Sequence, residues 1–453
     1  MTESIRCPAV LIAAPASGQG KTTITSALAR LHTRQGRRVR VFKCGPDFLD
    51  PFWHTLASGA PVHQLDLWMT GEADCRARLH AAAQEADLII VEGVMGLYDG
   101  QPSAADLAQH FGLPILAVVD AGAMAGTFGA LVYGLQHYRE GLRWAGVLAN
   151  RVGSERHAGM LQASLKDPQQ WLGALLRNPA LTLPERHLGL VAATELSDAT
   201  ERLDAAADAL AATPLGQMSG DDLQRWAVDF PPVASSAAAL EQPLRGKTVA
   251  VASDAAFCFI YAANIECLQQ LGAQVVFFSP LVDATLPACD AVWLPGGYPE
   301  LHAERLGANH ALRDCLRTHV AAGKPVWAEC GGMMALFETL VDKQGQSHPM
   351  WGLLPGRVVM QKRLAALGPQ QLLVDGQQLR GHTFHYSLSE TPVPVAARTT
   401  RPEGNSSDHE GEAVYVQGAV AASYFHAWFP SSPALVARLF GAGLRQFEAE
   451  PVA

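Results

Sequence analysis

The stretch Lys324-Pro-Val-Trp-Ala-Glu-Cys330-Gly-Gly-Met-Met-Ala335 has the residue order of a nucleophile site. An apolar run ends on a cysteine, two glycines follow, and helix formers begin. That order predicts a strand-to-helix elbow holding the Cys330 side chain at the top of a sheet. A free thiol has a pKa near ~8.5, and a helix N-terminus is expected to lower it by offering the thiolate unsatisfied N–H groups. The glycines let the backbone turn sharply and a substrate approach closely. Such a thiolate needs a base and oxyanion donors. Ala419-Val-Ala-Ala-Ser-Tyr-Phe-His426 reads as an apolar strand ending on the base at the same sheet edge, with His382 and His385 as competing bases. Leu294-Pro-Gly-Gly297-Tyr298 ends another strand on a glycine pair, so the N–H groups of Gly297 and Gly331 are the expected oxyanion donors.

A second chemistry lies near the other end of the chain. Ala14-Pro-Ala-Ser17-Gly18-Gln19-Gly20-Lys21-Thr22-Thr23 follows an apolar run and opens a helix over Thr22–His32. Backbone N–H groups of Ser17 to Thr23 would cradle phosphates, Lys21 would reach the outer oxygens and Thr22 would ligate Mg²⁺. Pro15 stands where the strict pattern has glycine. Lys43-Cys-Gly-Pro-Asp47-Phe-Leu-Asp50-Pro places two acids in a loop at a strand end. Two neighbouring carboxylates require a cation, so Mg²⁺ ligation is the physical reading, with a solvated turn as the alternative. Glu92, at the end of Asp87–Val91 and before Gly-Val-Met-Gly-Leu-Tyr-Asp99, would complete that site. Asn150-Arg151 ends a later strand and would read a nucleotide base or bind substrate.

These residues need two scaffolds. In the first half, Ala9–Ala13, Val39–Lys43, Asp87–Glu92, Pro114–Asp120, Trp144–Asn150 and Leu188–Ala192 alternate with helical patterns. Fully apolar strands between helices indicate a parallel sheet covered on both faces. Residues 211–246 dissolve into Ala, Ser, Pro, Gln and Asp and read as a linker between domains at 1–210 and 247–453. The second alternating set is Lys247–Ser253, Gln274–Ser279, Ala291–Pro295 and Lys324–Cys330, followed after residue 350 by shorter, partly antiparallel segments.

The length of 453 residues makes two domains the default, and 17% charged residues fit a packed enzyme. A net charge of -9 argues against a general nucleic-acid binder. Eight cysteines without CxxC spacing suggest neither zinc nor disulfides, and point to a reducing cytoplasm. No signal peptide is apparent. Leu113–Leu135 is long enough for a membrane span but is broken by Pro114, Asp120 and glycines, so no membrane is expected.

On these motifs the second half resembles a class I glutamine amidotransferase domain, and the first half resembles the P-loop domain of dethiobiotin synthetase and its relatives. Their combination resembles the cobyrinate a,c-diamide synthase family. The resemblance includes Asp254-Ala-Ala-Phe-Cys-Phe259 and Leu294-Pro-Gly-Gly-Tyr-Pro-Glu-Leu301, and it covers nearly the whole chain. The implied fold is α/β with two domains, a P-loop doubly wound parallel sheet and a class I glutamine amidotransferase-like domain. The implied activity is amidation of the a and c acetates of a corrin ring, with ATP and L-glutamine as co-substrates and Mg²⁺ as cofactor. Cys330 and His426 would release ammonia, and an acyl phosphate would form at the other site. That intermediate must be kept from water, which implies an enclosed ammonia path. Thr22, Asp47 and Glu92 would hold Mg²⁺, Lys43, Arg151 and Arg363 would pair with the corrin carboxylates, and Asp50 would bind substrate by helping to hold the metal and orient the ring. A homodimer is compatible with this scheme. The ring would be cobyrinate or the cobalt-free hydrogenobyrinate; the alternatives are nickel-sirohydrochlorin as the ring, a cobyric acid synthase, and a non-catalytic nucleotide-binding scaffold. Two positions depart from the pattern: Ala427-Trp428 replace the glutamate that often follows such a histidine, and Thr383 stands where an acid is expected.

Overall fold

A computed structural model describes residues 4–186, 189–190, 193, 196–233, 242–402 and 411–443. The chain divides into two compact units, Met1–Ser235 and Ser236–Ala453.

In the first unit β1 (Ile5–Ala13), β2 (Val39–Cys44), β3 (His63–Leu65), β4 (Leu88–Glu92), β5 (Ile115–Asp120), β6 (Trp144–Val152) and β7 (Trp171–Leu176) form a parallel sheet. Its order is β3-β2-β4-β1-β5-β6-β7. Successive residues of a strand point to opposite faces, and here both faces are apolar. Ala9, Leu11 and Ala13 enter one core, while Val10 and Ile12 enter the other. Helix α1 (Lys21–Arg34) follows β1, and α2 (Asp50–Ser58) follows β2. The strand order reverses at β1, so the loops after β1, β2, β4 and β6 converge where open α/β sheets bind ligands.

Two expectations are corrected. The strand beyond β6 is Trp171–Leu176, not Leu188–Ala192; of the latter, Gly189–Leu190 forms β9, which pairs with β8 (Glu185–Arg186), and 188, 191 and 192 lie outside the described residues. The supposed linker is largely structured. Leu215, Met218, Leu223 and Trp226 are buried beside α1, and β10 (Ala227–Phe230) pairs antiparallel with Ile5–Pro8. Small and polar residues hid this segment, because its few large apolar side chains are too widely spaced to show a period. Residues 234–241 lie outside the described residues.

The second unit contains β11 (Thr248–Ala252), β12 (Gln274–Phe278), β13 (Ala291–Leu294), β14 (Val326–Glu329), β15 (Thr339–Val341), β16 (Ser347–Pro349) and β17 (Arg357–Met360). It continues with β18 (Ala366–Val374), β19 (Gln377–His385), β20 (Ser387–Glu390), β21 (Val395–Arg398), β22 (Ala413–Gln417), β23 (Val420–Ser423) and β24 (His426–Ala427). The main sheet runs β12-β11-β13-β14-β23-β22-β21, parallel through β23 and antiparallel beyond it. Smaller sheets run β16-β15-β17-β20 and β18-β19-β24. The expected single strand ending at His426 is therefore two strands. β23 stops at Ser423, and His426 lies on β24, paired with His382 of β19. Among the described residues no helix is long and apolar enough to cross a membrane. The stretch Leu113–Leu135 contains β5, a loop and the start of the helix Thr127–His137.

Candidate functional site

The phosphate loop is held by partners from three strand ends. Lys21 directs Nζ at the carbonyls of Met95 (2.6 Å) and Ala16 (3.2 Å), and burial lowers its ammonium pKa below the usual range. Asn150 Nδ2 donates to the Gln19 carbonyl at 2.9 Å, while the Gln19 side chain accepts from Asp120 N at 2.8 Å. Arg151, in the left-handed region at φ 56, donates to the Gly18 carbonyl (2.9 Å) and pairs with Asp120 (2.7 Å). Asn150 and Arg151 are thus loop braces in this structure. A cavity of about 260 Å³ opens over the loop, lined by Ser17, Gly18, Lys21 to Thr23, Asn150 and Arg151, with Leu175, Asn178 and Leu183 on its far wall.

Beneath the loop lies a buried acid–base network. Glu92 is 1% exposed; its Oε1 accepts from Thr22 Oγ1 (2.7 Å) and faces Lys43 Nζ (3.2 Å), and its Oε2 meets His54 Nε2. Lys43 Nζ also pairs with Asp50 Oδ2 at 2.7 Å. Burial opposes both charges, but Asp50 and Glu92 outweigh it and keep Lys43 protonated. Lys43 and His54 likewise hold Glu92 down at about 2. The cation between the neighbouring carboxylates is therefore the chain's own Lys43, and Lys43 and Asp50 both line the cavity. Asp47 lines the cavity, and its Oδ1 also accepts the N–H groups of Leu49 (2.7 Å) and Asp50 (3.4 Å). No three His, Cys, Asp or Glu side chains form a ready metal cage among the described residues. The oxygen donors of Thr22, Glu92 and Asp47 fit a Mg²⁺ that retains phosphate oxygens among its ligands. Sequence reading missed His54. Its position four residues after Asp50 on one helix was the available signal, since i and i+4 share a face.

In the second unit the elbow is present. Cys330 has φ 46 and ψ -106, a strained conformation between β14 and the helix Gly331–Leu336. A Cβ on Gly331 would lie 2.9 Å from both Gly297 N and Pro299 Cδ, and one on Gly297 would collide with the Ala256 carbonyl. Both close approaches therefore require glycine. Gly296 abuts the ring of His426 in the same way, so His426, Gly296–Gly297 and Cys330–Gly331 form one contiguous cluster. The expected acidic thiol is not found. Burial pushes Cys330 well up, Glu300, Glu412 and Glu329 add to this, and the Gly331 N–H only partly offsets them. The helix behind the thiol spans only six residues, so burial and the three acids outweigh its dipole.

The competing histidines have separate places. His382 stacks on His426 (centroids 4.9 Å apart, 15°) and lies 3.3 Å from Tyr261 Oη; burial first, then His382 and His385, keep His426 neutral. His385 bonds Glu412 at 3.1 Å and stacks on Tyr424, while Thr383 Oγ1 donates to Glu412 at 2.8 Å. The acid missing at Thr383 is thus supplied by Glu412. Glu329, one residue before the nucleophile, accepts from Trp327 Nε1 (2.7 Å) and Ala427 N (3.4 Å), and burial pushes it up to about 8. Arg363 is exposed between β17 and β18.

A phosphate loop over a buried acid in one unit, and a cysteine elbow beside a glycine pair and a histidine in the other, define a glutamine-dependent ATP-using ligase. Residues 10–191 match the CobQ/CobB/MinD/ParA nucleotide binding domain and residues 248–434 the CobB/CobQ-like glutamine amidotransferase domain. A hydrogenobyrinate a,c-diamide synthase of Pseudomonas aeruginosa is 55% identical over 97% of this chain and 98% of its own. Another, from Stutzerimonas stutzeri, is 54% identical over 96% and 99%. A cobyrinate a,c-diamide synthase of Herminiimonas arsenicoxydans is 50% identical over 95% and 96%. The chain belongs to this a,c-diamide synthase family, and is a glutamine-hydrolysing carbon–nitrogen ligase that uses ATP and glutamine.

Proposed function

We propose that this enzyme amidates the a and c acetates of hydrogenobyrinate or cobyrinate in cobalamin biosynthesis. The two relatives at 55% and 54% identity are named for the cobalt-free ring, which favours hydrogenobyrinate. The observation that carries the reading is the strained Cys330 elbow packed against Gly297, whose neighbour Gly296 abuts His426, in one chain with the Lys21 phosphate loop.

At the amide site Cys330 Sγ attacks the side-chain amide carbon of glutamine. His426 takes the thiol proton and returns it to the leaving nitrogen. The N–H groups of Gly297 and Gly331 receive the oxyanion. Ammonia departs, and water activated by His426 cleaves the thioester to glutamate. At the synthetase site a ring carboxylate attacks the γ-phosphorus of ATP, ADP leaves, and ammonia displaces phosphate from the acyl phosphate. Gly18, Gly20 and Thr23 cradle the phosphates by their backbone N–H groups, and Lys21 neutralises the outer oxygens. Thr22, Glu92 and Asp47 would hold Mg²⁺, which supplies charge neutralisation to the transferring phosphoryl group. Asp50 and Lys43 stiffen the floor of this site. Mass spectrometry of products from hydrogenobyrinate and cobyrinate tests the reading: a gain of two amides on either ring is expected, and none on both would overturn it.

A further inference from the structure

Three carboxylates act on the Cys330 thiol: Glu300 most strongly, then Glu412 and Glu329. Two of them are satisfied by the protein itself. Glu412 is bonded by His385 and Thr383, and Glu329 by the Trp327 indole and the Ala427 N–H. Glu300 differs, because among the described residues it forms no ion pair with a Lys, Arg or His. Its own backbone N–H is its donor, and the cation it feels is Lys343, which sits over the Tyr386 ring 5.0 Å from the centroid. Burial pushes the Glu300 carboxyl up to about 7, as expected for an acid whose counter-charge is missing.

Its place in the fold is equally specific. Glu300 lies in the single turn Pro299–Leu301, which follows the Gly296–Gly297 pair. That turn packs on the elbow, because a Cβ at Gly331 would meet Pro299 Cδ at 2.9 Å. Glutamine brings an α-ammonium group to this site, a short methylene chain away from the amide that Cys330 attacks.

We propose that Glu300 is the anchor for the α-ammonium group of glutamine, a role that rests on the reading of Cys330 as the glutaminase nucleophile. The pairing supplies the counter-charge the turn lacks and selects an α-amino acid over a simple amide. It also neutralises the largest negative influence on the thiol when substrate arrives, so the nucleophile is primed by the molecule it attacks.

The test measures ammonia release by the full-length enzyme, with ATP and the ring acid present. The substrates are glutamine and 5-amino-5-oxopentanoate, which is glutamine without its α-ammonium group. In Glu300→Gln the ratio of kcat/KM between them should fall roughly tenfold to a hundredfold, and Glu300→Asp should recover part of it. An equal fall for both substrates, or an unchanged ratio in either variant, overturns the assignment. Retention of glutamine-driven ammonia release by Cys330→Ala would instead remove the underlying reading, so the two failures are distinguishable.

Discussion

The Nε2 atom of His54 meets Oε2 of Glu92, and neither side chain is accessible to solvent. A carboxylate only accepts, so His54 donates there, and its Nδ1 is hydrogen-bonded to the Ser26 hydroxyl at 2.9 Å. Ser26 and Thr22 are one turn apart on α1, and both act on Glu92: Thr22 directly on Oε1, Ser26 through His54 on Oε2. The helix that opens the phosphate site therefore fixes both oxygens of the acid beneath it.

Removing this clamp should affect both metal response and stability. His54→Ala leaves Oε2 of Glu92 unsatisfied, costing about 1–3 kcal/mol of stability. It should also lower amidation roughly tenfold to a hundredfold and raise the Mg²⁺ requirement. His54→Gln, which keeps a donor, should recover part of the activity. Magnesium titrations beside melting temperatures decide; wild-type Mg²⁺ dependence in His54→Ala would refute the clamp.

Cys330→Ser should abolish glutamine-driven amidation and leave ammonium-driven amidation intact, because the acyl phosphate needs only an amine. Product formation with each nitrogen source checks this. Loss of both, with an unchanged melting temperature, would show that Cys330 does more than supply ammonia.

Lys21→Ala should lower amidation by about a hundredfold or more with either nitrogen source, since it removes charge from the transferring phosphoryl group. Near-normal turnover at saturating ATP would contradict the phosphate-loop assignment.

Asp47→Asn separates two roles at one residue. The amide oxygen can still accept from Leu49 N, so the turn should survive with a small loss of melting temperature. Loss of the charge should raise the apparent Mg²⁺ requirement. A lower melting temperature with unchanged Mg²⁺ dependence would leave Asp47 as a turn former alone.

Glu329 gives a pH dependence with a definite sign. Its folded pKa is raised from 4.5 to about 8, so between these values the folded state retains a proton that the unfolded state releases. Stability falls as pH rises through that window and levels off above it. Glu329→Gln cannot ionise and keeps an acceptor for Trp327. The melting temperature of the variant relative to wild type should therefore climb from pH 5 to pH 8. A flat difference across that range would show that Glu329 is ionised in the folded protein.

Both reactive loops were legible in the sequence because each is contiguous: strand, glycines and nucleophile, or strand, glycines and lysine, lie within about a dozen residues. Their partners come from distant elements and left little trace. Met95 contributes a carbonyl, which no residue type announces. Glu412 replaces an acid expected at Thr383 from a strand edge 29 residues away. Lys43 satisfied the rule that paired acids need a cation, but from within the chain rather than through a ligand. The thiol argument failed because it counted the helix end and neither the burial of the thiol nor the three acids acting on it.

The pairing of β10 with Ile5–Pro8 bears on how the polypeptide is made. The first half of β1 has β10 as its ladder partner, while β4 and β5 pair only from Ala9 onward. A nascent chain must therefore leave that ladder open until Phe230 has emerged from the ribosome. Trp226 and Leu223, which seal the layer over α1, arrive in the same last stretch. A fragment cut at residue 210 would expose a bare strand edge to other chains, inviting aggregation.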